Sequence, residues 1–181
     1  MDPVWRSTLI KVAAPAVGAV VLLAVTRWRG ISWSDDLGLR RPEPKRLAAW
    51  LGLWLLWVGV GELLIRAFGL AQAQPWPPYP AIIIALRVLA IGVLGPVAEE
   101  LVMRGALLGR LRRTALGPGG AIAVTAVAWA AMHVSYDLAT LALVAADGVV
   151  LGLARQWGGS LWIPVAMHGL GNLISIAQSL S

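Results

Sequence analysis

The sequence predicts an all-α protein, a polytopic membrane bundle of about six transmembrane helices. Hydrophobic residues make up 59% of the 181 residues and charged residues only 13%, whereas about 25% of the residues in an average soluble domain are charged. The apolar residues are also concentrated in long segments. A chain this short could not cover so large an apolar interior with polar surface, which excludes a soluble single domain and a disordered chain.

Each apolar segment is about long enough to cross a hydrocarbon core of about 30 Å as a helix that rises about 1.5 Å per residue. The segments are 8–26, 47–65, 81–98, 120–135, 138–154 and 162–178. The first is expected to remain as a helix rather than to be cleaved as a secretory signal, because Arg27 and Arg29 follow it at once. No internal repeat is visible, so residues 1–181 are expected to form a single integral membrane domain.

The third segment does not stop at residue 98, since leucines continue at helical spacing as far as Arg113. Pro96 lies inside this stretch, and an interior proline removes one backbone hydrogen bond and clashes with the preceding turn. We therefore expect one bent element or two abutting helices here. The Gly-Pro-Gly-Gly stretch at 117–120 is expected to form a turn.

The charges outside the apolar segments predict the topology. Residues 27–46 carry six Arg or Lys residues, whereas residues 67–80 carry four prolines and no charge. The positive-inside rule places the first loop in the cytoplasm and the second outside, so both termini are expected to be extracytoplasmic. The strong use of Ala, Arg and Trp favours a bacterial host, and hence the inner (cytoplasmic) membrane.

The same charges exclude some partners. The net charge of +6 is carried by residues at the ends of apolar segments, which indicates contacts with membrane lipids rather than with nucleic acid. The chain has no cysteine, so disulfides, thiolate metal sites and a cysteine nucleophile are excluded. The sequence carries no prediction of an oligomeric state.

Polar side chains inside the apolar segments are the candidate functional residues, because each costs free energy in a membrane unless it has a partner. Both histidines of the chain are among them, which indicates more than a structural bundle. The set is Glu62, Arg87, Glu99, Glu100, Arg104, His133, Asp147, His168 and Asn172.

Two adjacent glutamates are predicted to have different tasks. Neighbouring residues on a helix point about 100° apart, so Glu99 and Glu100 cannot serve one cavity equally. Glu100 and Arg104 have the favourable i, i+4 spacing of an ion pair, which leaves Glu99 free to hold a water or accept its proton. The alternative is a solvated cluster of charges at a helix end.

The histidines lie on two other segments. His168 and Asn172 are also spaced i, i+4 and could together donate hydrogen bonds to an oxyanion, although pairs of this kind also join helices in membrane bundles. His133 ends the fourth segment, and Trp129 lies one turn before it. One glutamate and two histidines from three helices form the minimum set for activating a water molecule, with or without a metal.

Three motifs in this order resemble the CPBP family, which groups CAAX prenyl endopeptidases with bacterial intramembrane proteases of the Abi type, including bacteriocin-processing proteins. They are Glu-Glu-x-x-x-Arg at 99–104, aromatic-x-x-x-His at 129–133 and His-x-x-x-Asn at 168–172. The resemblance covers about residues 81–178, the expected catalytic core. It implies an intramembrane endopeptidase acting on a membrane-associated protein or peptide, through maturation, sorting or CAAX-type processing of a tail.

The resemblance also implies a role for each motif residue. Glu99 would be the general base that activates water, with Glu100 and Arg104 bracing it. His133 would orient the water, and His168 and Asn172 would stabilise the oxyanion.

Two further residues are expected to line the substrate pocket. Trp129 stands where the family usually has Phe, and its larger ring would narrow the cavity beside His133. Asp147 lies outside the motifs, and a salt bridge to Arg104 or Arg87 is the alternative to its place in the pocket.

A metal is not required by the sequence, which lacks the His-Glu-x-x-His zinc motif. Glu99, His133 and His168 could ligate zinc and leave a position open for water, but no separate base would then remain unless Glu100 left Arg104. A glutamic mechanism without a cofactor is therefore favoured, with zinc as the alternative. Two other classes of function are a non-catalytic membrane immunity or binding protein and a small proton-coupled transporter, against which the lack of an inverted repeat weighs.

Overall fold

The computed structural model describes residues 1–70 and 74–180, and within these residues the protein is all-helical, as predicted. The helices, numbered here in chain order, are α1 (Pro3–Trp28), α2 (Pro44–Ala67), α3 (Ala81–Leu111), α4 (Gly117–Ala131), α5 (Leu138–Gly158) and α6 (Trp162–Leu180). Residues 71–73 of the predicted proline-rich loop lie outside the described residues.

Four of the six helices, α1, α2, α3 and α5, are long and apolar enough to cross a membrane. Helix α4 has only 15 residues, which at about 1.5 Å per residue is short of a hydrocarbon core of about 30 Å. Helix α6 has 19 residues, but it includes the polar side chains of His168 and Asn172. The prediction of a helical membrane bundle is confirmed. The two histidines lie on or next to the two remaining helices, since His133 follows α4 and His168 lies on α6.

Helix α3 is a single continuous element through Pro96 rather than two abutting helices. Two π-helical segments, Ala90–Leu94 and Leu101–Leu107, flank the turn that contains the two glutamates. The predicted turn at 117–120 is wrong, because α4 already begins at Gly117. Pro118 lies in the first turn of α4. Backbone N–H groups in the first turn have no acceptor within the helix, so the N–H that proline lacks is not needed there.

Helix α6 packs against α2, α3 and α5. Close approach to α3 depends on Gly169, where a Cβ atom would lie 2.8 Å from the Gly92 carbonyl oxygen. Helices α4 and α5 also pack closely, since a Cβ atom on Gly148 would lie 2.9 Å from the Cα of Ala126. Small residues at such crossings are typical of membrane helices, which associate by close packing.

The loop between α1 and α2 covers one end of the bundle. Leu37 is only 1% exposed, and the Leu161 N–H donates to the Gly38 carbonyl at 2.8 Å. Asp36 forms an ion pair with Arg113 at 2.7 Å. The Ser32 N–H and the Arg113 guanidinium, which both donate to this carboxylate, hold the pKa of Asp36 below its usual range. The cationic loop and the cationic end of α3 therefore meet at the same end of the bundle.

Candidate active site

The first π-helical segment leaves one carbonyl oxygen free for a side chain. In this segment the Gly95 N–H donates to the Ala90 carbonyl, five residues back. The next carbonyl is that of Ile91, and the residue five positions on is Pro96, which has no N–H to donate. Asn172 supplies the missing donor, because its side-chain amide donates to the Ile91 carbonyl at 2.8 Å. One N–H of Asn172 is therefore used to join α6 to α3.

Glu99 lies half-buried on α3 and lines a cavity of about 620 Å³ between α1, α3, α5 and α6. Its Oε2 atom accepts a hydrogen bond from the Trp129 indole N–H at 2.7 Å. Among the described residues Glu99 forms no ion pair, and its other oxygen has no hydrogen-bond donor. This carboxylate is held in position while one oxygen is left for a molecule in the cavity.

Glu100 points away from the cavity and is completely buried. Its Oε1 atom accepts from the Arg104 guanidinium at 2.9 Å, the predicted i, i+4 pair, and contacts the His168 Nδ1 at 3.0 Å. Arg104 is also completely buried and donates to the Gly148 carbonyl at 3.0 Å. These contacts connect α3, α5 and α6 behind the cavity wall.

The Trp129 ring lies at the centre of the site. The guanidinium carbon of Arg104 is 4.9 Å from the ring centroid. The rings of His133 and His168 meet it edge-on at centroid distances of 5.3 and 5.2 Å. Trp129 is 5% exposed, and Gly148 makes room for it, since a Cβ there would lie 3.3 Å from the indole ring.

The hydrogen bonds of the two histidines determine which ring nitrogen is left for the cavity. His133 lies in the turn after α4, where its Nδ1 is 3.0 Å from the Trp129 carbonyl oxygen. A carbonyl only accepts, so Nδ1 carries the hydrogen and Nε2 is left as an acceptor in the neutral ring. The Nδ1 of His168 lies 3.0 Å from the Glu100 oxygen that also accepts from Arg104, so it carries its hydrogen in the same way. Both residues line the cavity.

Asp147 lines the same cavity from α5. Its carboxylate accepts from the Trp57 indole N–H at 2.6 Å, and it forms no ion pair with any residue in the described ranges. The alternative of a salt bridge to Arg104 or Arg87 is therefore wrong. Arg87 instead donates to the hydroxyls of Ser7 and Thr8.

The structure brings most of the predicted site residues to one place. Those that line the cavity are Glu99, Trp129, His133, Asp147, His168 and Asn172. Glu100 and Arg104 lie directly behind them. The expectation that His168 and Asn172 stabilise an oxyanion stays a prediction. The His168 Nδ1 is bonded to Glu100 and one Asn172 N–H to the Ile91 carbonyl, so only the His168 Nε2 and the second Asn172 N–H remain for it.

Several cavity residues were not found from the sequence. Lys11 and Trp76 line the cavity from α1 and from the loop before α3, and Tyr136 stacks on His133 at a centroid distance of 5.8 Å. Trp57 reaches Asp147 across 90 residues of sequence. The sequence did contain an indication for Lys11, because it is a charged residue inside an apolar segment. The others are aromatic residues of a kind common at membrane interfaces, so no signal separated them.

The expected zinc ligands do not form a ligand cluster. Within residues 1–70 and 74–180, no group of three or more His, Asp or Glu side chains is placed to hold a metal ion. Glu99, His133 and His168 line one cavity, and each is oriented by one hydrogen bond to the protein. A hydrogen bond at Nδ1 also orients most metal-binding histidines, so these bonds do not exclude zinc, which stays the alternative to a mechanism without a cofactor.

The fold and the cavity together define a class: integral membrane proteins whose helices enclose an acid–histidine site. Residues 81–174 match the family of Rce1-like type II CAAX prenyl endopeptidases. This range is more than half of the chain, and the protein belongs to this family of CPBP intramembrane proteases. No curated protein and no solved structure matches the chain. The family assignment means that the substrate is a membrane-associated peptide or protein.

Proposed function

We propose that this protein hydrolyses a peptide bond near the end of a membrane-associated peptide or protein by a glutamic mechanism that needs no cofactor. The observation that carries the proposal is the contrast between the two glutamates. Glu99 lines the cavity with one oxygen held by Trp129, whereas Glu100 is buried and paired with Arg104. A positioned, accessible carboxylate is the requirement for a general base.

In this mechanism Glu99 takes a proton from a water molecule, and the hydroxide oxygen bonds to the scissile carbonyl carbon. The neutral His133 ring can orient the water by accepting a hydrogen bond at Nε2. When the carbon–nitrogen bond breaks, Glu99 returns the proton to the leaving amine. The products are a carboxylic acid and an amine, so atoms and charge balance without a further reactant.

The oxyanion is stabilised from α6. Asn172 has a second N–H that is not used by the Ile91 carbonyl. His168 can donate from Nε2 only when both ring nitrogens are protonated, because Nδ1 already faces Glu100.

The test is the cleavage of an internally quenched peptide with a prenylated CAAX-type tail by purified protein in lipid vesicles. Cleavage by the wild type and its loss in Glu99→Gln, with an unchanged melting temperature, would support the proposal. Equal cleavage by both proteins would overturn the role of Glu99. No cleavage of this peptide or of an unprenylated peptide would favour the immunity, binding or transport alternatives.

For the membrane, we propose the bacterial inner membrane with both termini on the extracytoplasmic side and the whole chain as one domain. The support is that the cationic loop and the cationic end of α3 meet at one end, through the Asp36–Arg113 pair, as the positive-inside rule expects. The chain has no cysteine, so single cysteines added at position 2 and at Arg110 can be labelled with an impermeant maleimide. Labelling of the Arg110 site from outside intact cells would overturn this orientation.

A further inference from the structure

Helix α1, which lies outside the residues matched by the family, carries a lysine on its inner face. Thr8, Lys11 and Pro15 are spaced by three and four residues and therefore share one face of the helix. Thr8 is completely buried and accepts a hydrogen bond from Arg87 of α3. Lys11 and Pro15 line the catalytic cavity. Lys11 is an exposed residue whose side chain forms part of the cavity wall.

The Lys11 ammonium has no anionic partner among the described residues. Of the carboxylates that line the cavity, Glu99 is held by Trp129 and Asp147 by Trp57. Arg87, the other cation near this part of α1, is bonded to Ser7 and Thr8 and lies over the Tyr79 ring at 4.5 Å. Apart from the two histidines, Lys11 is thus the one cationic side chain in the described cavity wall.

An ionisable side chain inside a membrane bundle that faces a cavity calls for a functional explanation, because it costs free energy without a partner. The group that an ammonium recognises is an oxyanion, and a carboxylate is the oxyanion that a peptide brings with it. A cavity of about 620 Å³ is in the range of small-molecule pockets, about 300–1,000 Å³. It therefore has room for a few extended residues at a chain end.

We propose that Lys11 binds the C-terminal carboxylate of the substrate and so determines which peptide bond reaches Glu99. This inference rests on the proposed protease function and deepens it, since it makes the enzyme select a free chain end. The substrate tail would extend from Lys11 on α1 toward Glu99 on α3, across the cavity that both residues line.

The experiment compares two peptides of the same sequence, one with a free C-terminal carboxylate and one with a C-terminal carboxamide. The wild type should cleave the carboxylate form with a kcat/KM about 10- to 100-fold higher, the usual effect of one hydrogen bond to a charged group. Lys11→Gln should cleave both peptides at the rate of the wild type on the amide. Lys11→Arg should keep the preference, because it keeps the positive charge.

Arg6→Gln is the matched control, because Arg6 is an exposed cation on the same helix and does not line the cavity. It should keep the full preference for the carboxylate. A second measurement uses mass spectrometry to locate the cut in peptides lengthened by one residue at the C-terminus. In the wild type the cut should move with the new chain end.

Two outcomes would overturn the inference. Equal cleavage of the acid and amide peptides by the wild type would show that the terminal carboxylate is not recognised. A Lys11→Gln variant that loses activity on both peptides by the same factor would show a role unrelated to the carboxylate. In either case the protease function itself would stand, since it fails only if neither peptide is cleaved.

Discussion

Glu99 and Glu100 are neighbours in sequence but belong to different environments. Glu99 faces the cavity with one hydrogen bond, from an indole N–H. Glu100 is completely buried, and one of its oxygens meets both Arg104 and His168. The difference shows how one helix can supply a reactive group and its structural support at once. The two side chains point about 100° apart, so the helix presents one to the substrate and the other to its neighbours.

The largest expected effect is the loss of activity when Glu99, the glutamate that faces the cavity, is replaced. Glu99→Gln keeps the size of the side chain and removes the base, so kcat should fall by at least about 10²–10⁴-fold. The melting temperature should stay within the error of the wild type, because Glu99 is in no ion pair among the described residues. Peptide cleavage and thermal unfolding of the same preparation measure both. An unstable but active variant would reverse the assigned roles.

The next largest effect is the loss of stability when Glu100, the buried glutamate, is replaced. Glu100→Gln leaves the Arg104 cation without its carboxylate, and breaking a buried pair in this way costs about 3–5 kcal/mol. We expect poorer expression and a lower melting temperature, with activity lost largely through unfolding. The double change Glu100→Gln with Arg104→Met should recover part of the stability, because the unpaired charge is removed as well. A stable, folded and inactive Glu100→Gln variant would contradict this expectation.

A smaller effect is expected at the indole that holds Glu99. Trp129→Phe keeps an aromatic ring beside both histidines but removes the donor to Glu99, so kcat should fall about tenfold, the value of one hydrogen bond to a charged group. Trp54→Phe is the matched control. Trp54 is also buried, but its indole N–H has no acceptor among the described residues. Equal losses in the two variants would show that only ring packing matters.

The smallest expected effect is that of a chelator. If Glu99 acts as the base without a metal, prolonged dialysis against a chelator should leave the rate of cleavage nearly unchanged. The same samples should show the same melting temperature before and after dialysis. Activity that disappears and returns on adding zinc would require Glu99 to be a ligand rather than a base.

The parts of this structure that could be predicted from sequence depend on local spacing. Apolar segments of sufficient length predict the helices, and the i, i+4 spacing of Glu100 and Arg104 predicts their ion pair, which the structure contains. The motifs also predict the family, which the match over residues 81–174 confirms. In each case the relevant residues are close in sequence or in a known order.

The parts that could not be predicted depend on long-range contacts. The bond from Trp57 to Asp147 joins α2 to α5, and nothing in either segment indicates the pairing. The hydrogen bond from Asn172 to the Ile91 carbonyl depends on a π-helical segment of α3, whereas the sequence predicted only a bend or a break at Pro96. The catalytic roles of Glu99, His133, His168 and Asn172 remain predictions for the experiments above.

The π-helical segment Ala90–Leu94 also determines where α3 can lose a residue. Each residue of a regular α-helix turns the residues after it by about 100° about the helix axis, so a deletion there would turn Glu99 away from the cavity. A π-helical turn holds about one residue more than an α-helical turn, so a deletion between Ile91 and Gly95 would close the segment into a regular α-helix and leave Glu99 facing the same way. Ile91 would then lie four residues before the proline, where its carbonyl would clash with the proline ring. The extra residue is therefore what lets α3 continue past Pro96.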